Sequence, residues 1–413
     1  MPASGSSEGG STGIPAFRAL RYRNFRLLWG GLAISAVGTW MAIVAQSLLV
    51  LDLTHGSAVY LGAISLVQAV AFLLFAPLGG SLADHFDKRR LLAVTQTLMM
   101  LLTIVLGVLT ATGAIRFWMI PPIVFASASA LSFDQPARNA LVASLVPKDV
   151  MLNAISLQSA VFNGASLLGP ALAGLTLSRF GYSANFFLNA ASFFAVLGAL
   201  YFLNPKEVAA IPRPQGGLLR AVAEALHFIR RDAVLPSVIS AYSALMFLGP
   251  SVILMVPLFT RQVVHGGPTE LGLLFSAIGA GTVTGALSVA SLGDPQHKDR
   301  LALGAMFLWT LALAAFGWSA SLWIAVPALF FLGVLQNAAG ATTMTLLQAR
   351  VPPEMRGRAM SLNTLLMMCV RPLGDFPAGA VMGWLGFRNA VVLSAGLVAA
   401  AVLAVAVTRG IRR

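Results

Sequence analysis

The chain has 413 residues, 58% apolar and only 10% charged, with a mean hydropathy of +0.83. Soluble domains carry about 25% charged residues, so an ordinary water-soluble globule, a disordered chain and a coiled coil are all excluded. With 27 Lys and Arg against 14 Asp and Glu the formal charge is +13, and in so apolar a chain that excess calls for a membrane explanation rather than a nucleic-acid one.

Residues 1–17 open with a Ser- and Gly-rich stretch whose one charge is Glu8. It lacks the basic-then-apolar order of a signal peptide and is expected to be a disordered cytoplasmic tail. A hydrocarbon core of about 30 Å takes roughly 20 apolar residues per helix. Segments 27–51, 58–83, 91–111, 117–135, 150–177 and 184–203 meet that requirement, as do 236–260, 270–292, 301–318, 322–346, 359–383 and 389–408. These are twelve predicted spans, and nothing alternates in the manner of barrel strands. The first six make an N-terminal bundle over 18–203, and the last six a C-terminal bundle over 236–408. Between them, 204–235 begins as a linker with Pro205, Pro212 and Pro214. It continues as an amphipathic connector, with Leu219, Val222, Leu226 and Ile229 at helical spacing. Residues 409–413 form a basic cytoplasmic tail. Cys369 is the sole cysteine, so neither a disulfide nor a zinc or redox motif is available.

With both termini inside, the inner segments hold 22 Lys and Arg, while the outer loops hold four: Arg116, Arg179, Arg261 and Arg388. The remaining one, Arg371, lies inside a span. That split obeys the positive-inside rule and requires an even number of spans.

The two halves match at nearly fixed offsets. A shift of 210 residues lays Leu61-Gly62 on Leu271-Gly272, Asp84 on Asp294, and Lys88 and Arg90 on Lys298 and Arg300. A shift of 205 pairs Val146-Pro147 with Val351-Pro352, Gly174 with Gly379, and Gly181 with Gly386. Charged loops and glycines recurring in register imply two parallel six-helix repeats about an axis along the membrane normal, with a cavity between them.

The loop between spans two and three reads Gly80-Ser-Leu-Ala-Asp84-His-Phe-Asp-Lys88-Arg89-Arg90. It resembles the signature of the major facilitator superfamily, with His85 where a basic residue is usual and Asp87 where Gly is usual. Asp tolerates a left-handed backbone, so the turn is expected to survive that change. The stretches Phe17 to Trp29, Leu51 to Ser57 and Phe133-Asp-Gln-Pro-Ala-Arg138 are similar to the superfamily's drug and siderophore exporters, of the enterobactin-exporter kind. The resemblance implies an all-α membrane protein of twelve helices in two pseudo-symmetric bundles. It also implies an inner gate made by Gly80, Asp84, Lys88, Arg89 and Arg90. In that gate Asp84 faces the N-terminus of helix eleven, and Lys88 pairs with Asp134. The second copy of the loop, Asp294 to Arg300, has lost the Gly and gained Pro295, which implies a weaker gate. In span five, Gly164, Gly169, Pro170 and Gly174 resemble, incompletely, the Gly-Pro motif of the superfamily's antiporters; Pro170 is expected to bend that helix.

Arg371 and Asp375 are the sharpest local anomaly, four residues apart on one face of span eleven. Ionisable groups at that depth are costly and face a cavity or a partner. One reading makes Asp375 the proton carrier and Arg371 its partner or a substrate anchor. The other makes them a static pair supporting a kink at Pro372 and Pro377. Asp52, at the outer end of span one, is expected to anchor its loop.

The expected function is secondary active transport by alternating access: proton-coupled efflux of a small amphipathic drug or siderophore-like compound. The protein is expected to act as a monomer in the cell membrane, with no cofactor, metal or nucleic acid. Uptake or flipping of an organic acid or lipid is the alternative. An enzyme is disfavoured because His55, His85, His227, His265 and His297 are scattered over different loops and none pairs with a nearby acid. An ATP-driven pump lacks its phosphate loop, and a non-transporting receptor remains the third class.

Overall fold

The computed structural model describes residues 15–204, 218–293, 297–352, 362–363 and 365–411, without the side chains of 15–16, 77–85, 218–222 and 409–411. In lipid every backbone polar group must be satisfied within the segment, and the described residues accordingly form helices throughout. A short 3-10 turn, Pro15–Arg21, leads into α1 (Arg23–Leu53), α2 (Ala58–His85), α3 (Lys88–Ala111) and α4 (Ile120–Ser144). α5 (Met151–Phe202) follows, then α6 (Leu218–Arg231), α7 (Leu235–Leu248), α8 (Val252–Gln262) and α9 (Pro268–Ser291). α10 (Lys298–Trp318), α11 (Leu322–Arg350), α12 (Arg371–Leu385) and α13 (Phe387–Ile411) complete the chain.

At about 1.5 Å per residue, α5 would run roughly 78 Å, more than twice a bilayer core. It holds two spans, because Gly181 turns the chain back at φ +74° and ψ −175°. Gly386 does the same between α12 and α13 at φ +78° and ψ 161°, 205 residues later in the repeat. Span seven is interrupted: α7 ends at Gly249, Pro250 has no N–H to offer, and α8 restarts with Ser251 as its cap. Span eleven also departs from regular α-geometry, through a π-turn at Leu366–Val370 just before Pro372. The described residues thus carry twelve spans in two groups of six. α4 runs nine residues past the predicted 135, although Pro136 lies inside it.

Within the first half α5 packs on α1 and α3, and α4 on α2 and α3; within the second, α11 packs on α9 and α10, and α13 on α10 and α7. Between the halves the main contacts are α5 with α9 and α2 with α12. Small residues allow these backbones to touch, as van der Waals packing between membrane helices requires. A Cβ on Gly174 would lie 2.7 Å from the Pro268 carbonyl oxygen, and one on Gly62 would lie 2.7 Å from that of Asp375. These close approaches all lie toward the α1–α2 turn. Further along α5, by contrast, Gly164 has open space beside it, and Ser156, Ser159 and Ala160 are exposed. The halves therefore meet at the Asp52 end and separate toward the Lys88 end.

α6 lies against α7 and α2, burying Ala225 and Ile229. Asp232 follows it, accepting the Val234 and Leu235 amides at 2.8 and 2.9 Å and pairing with Arg350 at 3.2 Å. Burial pushes the Asp232 carboxyl up, but those amides and Arg350 outweigh it and hold it below the usual carboxylate range.

Candidate functional site

The interruption of span seven leaves the Ser251 amide without a helical acceptor. Asp375 supplies one: its carboxylate accepts that N–H at 2.8 Å and is buried at 3% exposure. The Ser251 and Ser65 hydroxyls face it as well. Three segments meet at this carboxylate: α2 from the first half, the start of α8, and α12. The acid thus sits at the N-terminus of α8, the end of a helix that suits an anion. α12 can come so close because Gly374 has no side chain; a Cβ there would lie 2.0 Å from the Phe247 carbonyl oxygen at the end of α7.

Arg371 takes a different direction. Its guanidinium reaches the Gln336 side-chain oxygen on α11 at 3.5 Å, and no ion pair joins it to Asp375 within 4.0 Å. The expected direct pair is corrected accordingly: the two residues interact at longer range, and each has its own hydrogen-bonding partner. Tyr242 on α7 is fully buried beside this group, with its hydroxyl unpaired.

The acid expected to meet Lys88 also has other partners. Asp134 is fully buried between α3 and α4, where it accepts from Arg138, from Gln96 at 2.7 Å and from Thr95 at 3.1 Å. Asp87 corrects a second expectation, since its φ is −59° rather than left-handed. It serves instead as the cap of α3, accepting the Arg90 amide at 2.8 Å. Arg89 reaches back to the carbonyls of Tyr201 at 2.9 Å and Leu203 at 3.4 Å, closing the C-terminal end of α5. Gly80 and Asp84 fall in α2 with side chains outside the described residues, and the second copy of the loop at 294–296 lies outside them as well.

In α5, Gly169 packs on the Trp40 Cβ, Gly174 on α9, and the Pro170 carbonyl oxygen on Gly272. The backbone stays helical through Pro170; the non-helical residue in α5 is Gly181.

Asp52 does more than anchor its own loop. It accepts from Arg261 of the other half and from Tyr182 in the turn at Gly181. Beside that tie, Gln262 donates to the Gly56 carbonyl at 3.1 Å. Burial, then the neighbouring Asp52 carboxylate, pushes the Tyr182 phenol well above its usual range, which keeps it a donor. A cavity of about 570 Å³ opens beside this tie, with His55 from one half and His265 from the other in its wall. Sequence reasoning missed this assembly. The signal was present, since His55 and His265 are 210 residues apart, the offset of the repeat.

Two six-helix halves, meeting at one end and parted at the other around buried charges, define a membrane transporter of the major facilitator superfamily. The chain belongs to the family described as transmembrane secretion effector, whose model matches residues 14–410. It is 22% identical over 393 residues to macrolide efflux protein A of Streptococcus pyogenes, covering 92% of this chain and 95% of that one. To the enterobactin exporter EntS of Citrobacter koseri it is 24% identical over 383 residues, covering 93% and 88%. Among solved structures it is similar to an inward-facing, occupied bacterial homologue of the human lysosomal transporter Spinster. That match has a TM-score of 0.73 at 14% identity over 94% of this chain and 97% of that one. The family and these relatives are transporters, not enzymes.

Proposed function

We propose that this protein exports a small amphipathic compound by alternating access, in exchange for protons that load on Asp375. The observation carrying this reading is the Asp375 carboxylate, buried at an inter-half contact, bonded to the Ser251 amide beside the helix break and faced by Ser65 across the interface. A change in its charge changes how firmly the halves hold at that end. Alternating exposure then takes up a proton on one side and releases it on the other. The uneven split of Lys and Arg supports an orientation with both termini in the cytoplasm, in which the arrangement described above is open to the cytoplasm and closed outside. The gating loop Gly80 to Arg90 would close the cytoplasmic side in the opposite state. The relatives named for macrolide efflux and enterobactin export support a bulky amphipathic substrate, with Arg371 and Gln336 as polar anchors in the second half.

The test is flux in proteoliposomes under an imposed pH gradient, with a macrolide and a catecholate siderophore as probes. Asp375→Asn is expected to bring gradient-driven flux down to the protein-free background. Full flux by that variant rejects the proton role, and no gradient-dependent flux of either probe by the parent protein rejects the substrate class.

A further inference from the structure

The outer tie carries a feature that neither the family nor the transport reading assigns. His55 and His265 occupy equivalent positions in the two repeats, and both take a left-handed backbone at φ 53°. This conformation is uncommon outside glycine, and histidine is among the residues that tolerate it. Both are exposed, and both line the cavity beside the Asp52–Arg261 pair. The same local fold therefore presents one imidazole from each half to the place where the halves are tied.

The charge around them is lopsided. The fixed charges at this end are Arg116, Arg179, Arg261 and Arg388 against Asp52 and Glu270, a balance of +2. Arg261 on α8 and Tyr182, at the Gly181 turn within α5, both bind Asp52, at the end of α1. Glu270 on α9 is engaged by the Gly267 amide at 2.8 Å. α2 contributes Tyr60, whose ring packs on Phe117, and Arg388 stands at the start of α13, next in the chain to Phe387, whose ring packs on Phe259. Protonating both imidazoles raises the balance to +4, with a new positive charge on each side of the contact and a single carboxylate, Asp52, holding it together.

We propose that His55 and His265 form an acid-responsive outer gate: protonation of the pair sets the two halves against each other and releases the Asp52–Arg261 tie. Like charges on the two halves repel less once this end opens, so acid shifts the population toward the open state. Histidine is the side chain whose ordinary charge change falls between about pH 5 and 8. The transport reading supplies only the name of the side; the gate is tested without measuring flux.

Cys369 is buried and the only cysteine, so Cys369→Ser gives a background for paired spin labels at Thr112→Cys and Ala320→Cys. These positions are exposed on opposite halves at this end. The full-length protein in nanodiscs is measured between about pH 8 and about pH 5, across histidine's titration range. The distance distribution is expected to move from the short population to a longer one as pH falls. That movement should be lost in the double variant His55→Gln with His265→Gln and be partial in each single variant. The short distance at about pH 8 reports that the double variant is folded. An unchanged acid response in the double variant, or no acid response in the parent, overturns the gate.

Discussion

Each half carries one Asp–Arg pair at four-residue spacing within a span, and the two pairs end differently. In α4, Asp134 and Arg138 close on each other, and the acid takes two further hydrogen bonds from α3. In α12, Arg371 and Asp375 separate, one to Gln336 and the other to the Ser251 amide. The order of the charges accounts for the difference. Helical side chains lean toward the N-terminus, so an arginine reaches back to an acid four residues earlier. With the arginine first, it leans away. The pair with the acid first is the more favourable orientation, and the reversed pair leaves each member free for another helix. The first half therefore holds a self-contained brace, and the second holds two charges each tied to a different neighbouring helix.

Breaking both acids in the same way separates a brace from a switch. Asp134→Asn leaves Arg138 three-quarters buried without its counter-charge. Removing one member of a buried pair costs about 3 kcal/mol or more, which should appear as a clear fall in the thermal unfolding midpoint in detergent. Asp375→Asn keeps an oxygen for the Ser251 amide, so its stability loss should stay within about 1 kcal/mol even as coupled flux disappears. Equal midpoint losses for the two variants would mean that the pairs do the same job.

Ser65→Ala sharpens the contrast from the other side of the interface. It removes a hydroxyl of the first half that faces a carboxylate of the second. A polar contact to a charged group contributes about 1.5–3 kcal/mol. Because this one spans the halves where they meet, the population open at the Asp52 end should rise by about tenfold or more. The label pair at positions 112 and 320 reads that change directly. An unchanged distribution would confine the role of Asp375 to its own half.

Much of this architecture was legible in the sequence because lipid makes apolar length and loop charge such direct signals. The repeat was legible too, since Gly181 and Gly386, 205 residues apart, both turn the chain with positive φ. The partners of the buried charges were not. Spacing along α12 put Arg371 and Asp375 on one face, but helix direction and the break at Gly249-Pro250 decided where each one went. Asp87 illustrates the same limit: its residue type suited a left-handed turn, yet its carboxylate found a better role on the first free amide of α3. The partners of Asp52 lie 130 and 209 residues away, beyond any local pattern.

The smallest effect belongs to the tie beneath the second half. Asp232 caps α7 and binds Arg350 at the end of α11, and its carboxyl is held below the usual range. Its contribution is therefore fully present above the ordinary carboxylate pKa and fades as pH falls through the lowered value. Arg350 is 40% exposed, so water screens the pair, and Arg350→Ala should cost less than about 1 kcal/mol at neutral pH. In strong acid the parent loses the same interaction, so the two unfolding midpoints should converge there. A difference that widened in acid would place the contribution of Arg350 in packing on the end of α11 rather than in its charge. That would leave the acid-first brace in α4 as the one structural ion pair on which the comparison rests.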